Sequence, residues 1–208
     1  MTGDDHALYE RWAEGDRACG ERLLRRTLPS VARFFGNKVA RIEDRSDLVA
    51  RTFEIVARKL GDFRGESTFR AYVLGIGRNV LRDYLKALRR KPLSSPLEES
   101  SLVELTRSPS VRVAQAQERQ LLLVALRSIP LHAQIVLELS RSEELGRSEI
   151  AQVLGVPVGT VASRIRRGRA ELERRIAALA SGEAELVATL DSLVAWRARI
   201  RDALDEAG

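Results

Sequence analysis

Cysteine is nearly absent from this sequence: Cys19 stands alone among 208 residues. A single cysteine closes no intrachain disulfide and offers one ligand where a structural zinc needs four. The only histidines, His6 and His132, lie far apart in the chain and outside any cysteine or acidic constellation. Aromatic residues make up just 5% of the chain. Strands favour aromatic and β-branched residues, whereas the Leu, Ala and Arg that abound here favour helices. No apolar run approaches the roughly 20 residues of a membrane span, and the start Gly3-Asp4-Asp5-His6 is too acidic for a signal peptide. Membrane insertion is not expected, and a cytoplasmic location is. Gly75 and Gly77 fall inside a helical pattern, not between a strand and a helix, so they form no dinucleotide loop. No nucleophile, paired carboxylates or metal cluster stands at a credible spacing, and neither catalysis nor a cofactor is expected.

Positive charge is present in blocks. The formal net charge is +6, from 35 Lys/Arg and 29 Asp/Glu. Residues 1–91 hold 20 Lys/Arg against 13 Asp/Glu, a net of +7. Residues 118–177 come to +3, while 92–117 come to −1 and 178–208 to −3. Two basic blocks suit a polyanionic partner, although mild basicity alone is equally compatible with a protein that binds no nucleic acid.

Helical periodicity runs through most of the chain. Segments 4–15 and 19–38 are expected to be helical, with a kink or break at Pro29. Between Asp47 and Leu60, apolar side chains recur at Val49, Phe53, Val56 and Leu60. Between Phe69 and Leu88 they recur at Phe69, Tyr72, Val73, Ile76, Val80, Tyr84 and Leu88, with Ser67 or Thr68 as the N-cap. Periodicity collapses from Pro92 to Pro109, where Ser and Pro dominate, as in a flexible linker. Four more helices are expected near 112–128, 130–140, 147–154 and 158–179, and another after Ser181-Gly182. The fold class is therefore all-α. Two small helical domains, 1–91 and 118–180, are joined by the linker 92–117 and followed by a C-terminal helical extension, 181–208.

Residues 148–172 carry the most information, because they read as a helix-turn-helix. Ser148 can cap a short helix whose inner face is Ile150, Ala151 and Leu154. Gly155 can adopt the left-handed conformation that ends it, and Pro157 opens the next helix at no cost in hydrogen bonds. Val158, Val161, Ile165, Leu172 and Ile176 form the buried stripe of that second helix. Its outer face carries Thr160, Ser163, Arg164, Arg166, Arg167 and Arg169, residue types that bond base edges and phosphates in the major groove. A helical hairpin with a solvated Arg face is the plainer alternative for such a helix.

The Glu149-Ile150-Ala151, Leu154-Gly155 and Pro157-Val158-Gly159-Thr160-Val161-Ala162-Ser163-Arg164 series resembles region four of sigma factors of the sigma-70 family, extracytoplasmic-function (ECF) group. Ala162 stands where that family commonly has Lys or Arg, and Gly168 where it commonly has Ala. The first domain independently resembles region two: Asp47-Leu48-Val49-Ala50-Arg51-Thr52-Phe53 is similar to the helix that docks on the polymerase clamp, with Ala50 for the usual Gln. Phe63-Arg64-Gly65-Glu66-Ser67-Thr68-Phe69 is similar to the specificity loop, and Tyr72 replaces the usual Trp after it.

This resemblance implies a transcription initiation factor with core RNA polymerase and promoter DNA as partners. It implies duplex −35 contacts from the winged-helix-like second domain at Pro157, Thr160, Ser163, Arg164, Arg166 and Arg167. The melted −10 strand would be held by Phe63, Arg64, Gly65, Glu66, Ser67 and Asn79, with Lys86, Arg89 and Arg90 on phosphates. Asp47, Leu48, Arg51, Thr52 and Glu54 would bind the polymerase, and an anti-sigma factor would be a fitting regulator. The rival reading is a stand-alone helix-turn-helix regulator, which would not associate with the polymerase.

Overall fold

The computed structural model describes residues 3–90, 111–141, 143 and 145–180, and all regular structure among them is helical. Helices α1 (Gly3–Ala13), α2 (Arg17–Gly36), α3 (Ile42–Arg58) and α4 (Phe69–Arg90) precede the linker, with a 3-10 turn at Leu60–Asp62 before α4. After it come α5 (Val111–Ser128), α6 (Leu131–Arg141), α7 (Arg147–Leu154) and α8 (Val158–Leu179). Helix α5 thus starts inside the stretch assigned to the linker. The rest of that stretch and the expected C-terminal helix 181–208 lie outside the described residues.

Asp16 opens α2 by accepting a hydrogen bond from the backbone N–H of Cys19 at 3.2 Å. The helix runs through Pro29 without the expected break. Pro29 is exposed, so the carbonyl it leaves unpartnered is near water. Leu23, Thr27, Val31 and Phe35, all buried, hold the turns on either side.

Helix α3 begins five residues before Asp47, with Glu43 and Asp44 in the first turn, where negative charge is favoured. Its buried face is Leu48, Thr52 and Val56, with Val49 and Phe53 only half-buried. The expected face is therefore rotated by one residue. Thr52 tolerates full burial because its hydroxyl donates to the Leu48 carbonyl at 2.7 Å, so no polar atom is stranded. At Gly77 of α4 a Cβ would sit 3.7 Å from both Phe35 and Thr52. The glycine that weakens this helix in isolation faces side chains of both α2 and α3.

By chain contacts, the described residues up to Arg90 together with Leu145–Val161 form one compact unit. The remaining described residues, 111–141, 143 and 162–180, form the second. Helix α7 therefore packs with the first four helices, against α4. In the second unit, Ala133 to Leu139 of α6 are buried without interruption. The Gln134 amide answers the chain at the start of α6, donating to the Ile129 carbonyl at 2.9 Å. Gly168 of α8 is buried, and a Cβ there would lie 3.3 Å from Leu137 and 3.5 Å from Ala133. Its role is close approach to α6, in addition to any loosening of its own helix.

Candidate nucleic-acid interface

The helix-turn-helix has the expected turn chemistry with a different cap. Gly155 is left-handed, at φ 61° and ψ 45°, and closes α7. The N-cap is Gly146, not Ser148: the Glu149 side chain reaches back to accept from the Gly146 N–H at 2.9 Å. Thr160 N–H donates to the Pro157 carbonyl at 2.9 Å, so Pro157 stands just before α8 and starts it.

On α8, Val161, Gly168, Leu172 and Ile176 are buried and Ile165 is half-buried, while Val158 is 50% exposed and leaves the expected stripe. At about 100° per residue, Ser163 points away from the buried stripe, with Arg167 about 40° from it, Thr160 and Arg166 about 60°, and Arg164 about 100°. Ser163, Arg167, Thr160 and Arg166 thus fall on the side away from the core, while Arg164, half-buried, stands at its flank and Pro157 precedes the helix. The ion pairs of α8 join Arg169 to Glu173, and Arg174 and Arg175 to Glu171. No acidic residue occurs between Glu149 and Glu171, so Arg164 and Arg166 have no acidic neighbour within one turn along α8, and the Glu171 that follows Arg167 by one turn pairs with Arg174 and Arg175.

In the first unit the 60–68 loop and α4 form a cleft of about 490 Å³. Asp62, Arg64, Glu66, Ser67, Tyr72 and Asn79 line one side of it, and Gln152, Val153 and Gly155 the other. The structure thereby brings Asn79 together with loop residues twelve or more positions earlier. Phe63 is different. It is 7% exposed, within 5.5 Å of the Tyr9, Phe69 and Tyr72 ring centroids, so it anchors the loop from beneath and offers little ring surface for stacking. Gly65 takes a left-handed φ of 70° at the loop's apex. Thr68 caps α4, its hydroxyl accepting from the Ala71 N–H at 3.3 Å.

Glu149 of α7 meets the same cap, accepting from the Thr68 N–H at 3.3 Å and from its hydroxyl. Burial alone would raise the Glu149 pKa, but the bonds from Thr68 and Gly146, with Arg70 nearby, hold it below the ordinary carboxylate value. Lys86, Arg89 and Arg90 extend from the cleft along the exposed end of α4. Asn79, Lys86 and Arg90 follow one stripe at helical spacing.

The clamp candidates of α3 divide in two. Asp47, Arg51 and Glu54 are exposed and, with Ala50, Ile55 and Arg58, line a shallow groove. Leu48 and Thr52 point inward, 6% and 0% exposed, and serve the core.

Comparison with known proteins supports the resemblance. Residues 23–91 match the family description "Sigma-70 region 2", and residues 119–172 match "Sigma-70, region 4". The ECF RNA polymerase sigma-E factor of Haemophilus influenzae is 30% identical over 180 residues, 83% of this chain and 95% of that protein. The chain belongs to the sigma-70 family. The Escherichia coli sigma-E factor is 29% identical over the same share of this sigma factor and 94% of its own length. CnrH, solved in complex with the cytosolic domain of CnrY, is 26% identical with a TM-score of 0.59, covering 84% of this chain and 98% of that one. Sigma factor RpoE of Bartonella quintana, solved with the anti-sigma factor NepR, shares the fold at 21% identity and a TM-score of 0.61, covering 75% and 95%.

Asp62, within the loop 62–68 expected to hold the −10 base, lines the cleft of this sigma factor, and Arg58, which the sequence does not single out, lines the groove. Arg58 was accessible to reasoning, since it lies four residues beyond Glu54 and eleven beyond Asp47 on the same stripe. Glu149 gave no such signal, because its partner Thr68 is 81 residues away. Among the described residues no helix is long and apolar enough to cross a membrane.

Proposed function

We propose that this sigma factor holds core RNA polymerase through the exposed stripe Asp47, Arg51 and Glu54, and reads a promoter at two places. The outer face of α8, from Pro157 and Thr160 to Ser163, Arg164, Arg166 and Arg167, enters the major groove of the duplex −35 element. The cleft of loop 62–68 and Asn79 takes an unstacked base of the melted −10 strand, with Arg64, Glu66 and Ser67 at its edge. Lys86, Arg89 and Arg90 bind the adjoining phosphates. The observation that carries the −10 assignment is the convergence of Arg64, Glu66, Ser67 and Asn79 on one cleft. Flipping a base costs a few kcal/mol, and a walled cleft with polar edges can return it through hydrogen bonds and stacking.

Each reader is modest alone. Carried together on one polymerase, the second contact becomes effectively intramolecular, and selectivity multiplies. The chain acts by binding, with no covalent step of its own, in the cytoplasm where the polymerase works. An anti-sigma factor is a fitting regulator, since both solved neighbours above were captured in complexes, the second with a protein named as one.

The test is transcription in vitro with core polymerase on a genomic fragment library, sequencing the start sites. The proposal requires shared −35 and −10 sequences upstream of the starts. Arg164→Ala, Arg166→Ala and Arg167→Ala combined should abolish promoter selection while leaving co-elution with core polymerase intact. A chain that never co-elutes with core polymerase would be a stand-alone regulator instead.

A further inference from the structure

Helix α1 lies ahead of residues 23–91, the segment matched to region two, yet three of its side chains touch the loop 60–68 or its base. The Tyr9 hydroxyl donates to the carbonyl of Leu60, the first residue of the 3-10 turn. The Tyr9 ring, 8% exposed, stands edge-on to Phe63 at 4.7 Å between centroids and tilted against Phe69 at 6.1 Å. One turn earlier, His6 lies against the loop's apex, its Cε1 only 3.1 Å from where a Cβ on Gly65 would be. One turn later, Trp12 packs on Phe69 and is itself seated on Gly20 of α2, where a Cβ would overlap the indole at 2.5 Å. His6, Tyr9 and Trp12 are spaced by three, so a single face of α1 follows the loop from hinge to apex.

The contacts determine which way the loop's side chains turn. Phe63 is drawn inward under Tyr9, and Gly65 is pressed toward His6. Arg64 and Glu66, alternating with them, are left outward and exposed at the edge of the cleft. We propose that α1 is a brace for promoter reading, with Tyr9 and His6 as positioning residues that set base preference in the −10 segment without touching DNA. This rests on the proposal that the cleft holds the −10 strand. A loop of nine residues with a left-handed glycine samples many conformations unless its ends and apex are held. Each conformation aims Arg64 and Glu66 differently, so an unheld loop averages over bases.

The test uses reconstituted holoenzyme and forked promoter fragments that carry one constant −35 duplex and a randomised single-stranded −10 segment. Bound fragments are sequenced for wild type, Tyr9→Phe, Tyr9→Leu and His6→Ala. Wild type should enrich particular bases. Tyr9→Phe, which keeps the ring contacts, should retain most of that enrichment. Tyr9→Leu and His6→Ala should flatten the ratio of best to worst base by about tenfold or more, the scale of one lost base contact. Affinity for core polymerase and for the −35 duplex should be unchanged in all of them, which separates loop aiming from loss of fold. Amide exchange in 61–67 should quicken in Tyr9→Leu while the amides of α3 stay protected, giving a readout if selection is weak.

Unaltered base ratios in Tyr9→Leu and His6→Ala, beside clear enrichment by wild type, would overturn the brace and leave the −10 assignment standing. An absence of enrichment by wild type itself, with normal −35 binding, would overturn both. Flattening that appears only together with lost polymerase affinity, without faster exchange in the loop, would also count against it.

Discussion

The outer face of α8 makes a prediction that separates two kinds of arginine. Arg167 lies about 40° from the direction opposite the buried stripe, whereas Arg164 lies about 100° away, at the flank. A helix lying in the major groove aims its outermost side chains at base edges and its flanks at the phosphate walls. Arg167 should therefore read a base, and Arg164 and Arg166 should hold phosphates. Each phosphate contact contributes about 0.9 to the slope of log affinity against log salt. Arg164→Ala and Arg166→Ala combined should reduce the slope by about 1.8, weakening all duplexes alike. Arg167→Ala should change the slope little and lose about 1–3 kcal/mol of discrimination at one −35 base pair. The assay is fluorescence anisotropy of holoenzyme on labelled −35 duplexes across a salt series, with each base pair substituted in turn. If Arg167→Ala lowers the slope by about one unit and leaves every base-pair preference as it was, the assignment of roles by angular position is refuted.

The division of α3 predicts opposite phenotypes for neighbours. Leu48→Ala should cost about 2–5 kcal/mol in denaturant unfolding, because a 6%-exposed side chain leaves a cavity. Asp47→Ala with Arg51→Ala and Glu54→Ala should leave the unfolding midpoint nearly unchanged and lower affinity for core polymerase. The Glu149 carboxyl, held below its ordinary pKa in the fold, favours the folded state at pH values above the unfolded-state pKa. That contribution is lost as pH falls through the lower folded value. Glu149→Gln should therefore lower Tm near neutral pH, with the gap to wild type narrowing only below the ordinary carboxylate range, as read by thermal melts from about pH 7 down to about pH 2. Gly155→Ala should cost about 1–2 kcal/mol through backbone strain alone, since its φ is 61° and nothing stands within 4 Å of a Cβ there. Thermal melts would reveal that loss.

The helices themselves were written locally. The bounds of α7 and α8 follow from Gly155, Pro157 and an apolar period of 3.6, all short-range chemistry legible without a partner. The solvated arginines of α8 were equally legible, since charge has little choice but to face water. Which residues face the core of α3 was not. Leu48 and Thr52 could stand inside because a threonine can hide its hydroxyl on its own backbone, and Val49 and Phe53 were displaced by packing that periodicity does not record. The cap of α7 was likewise misplaced, because Glu149 had a closer use for its carboxylate at Gly146.

Gly77 and Gly168 read as weak points in isolated helices, and only the crossing helices reveal them as points of contact. Pro29 reads as a kink or a break, and the helix continues through it because the buried turns on either side outweigh one lost hydrogen bond. Sequence alone determined the helices up to Leu179, the basic faces and the family, because these depend on neighbours within one or two turns. Tertiary structure decided the convergence of Asn79 with loop 62–68, the inward turn of Phe63 and the seat of that loop on Tyr9. Those depend on which distant surfaces meet, and that is settled by close packing between elements far apart in the chain.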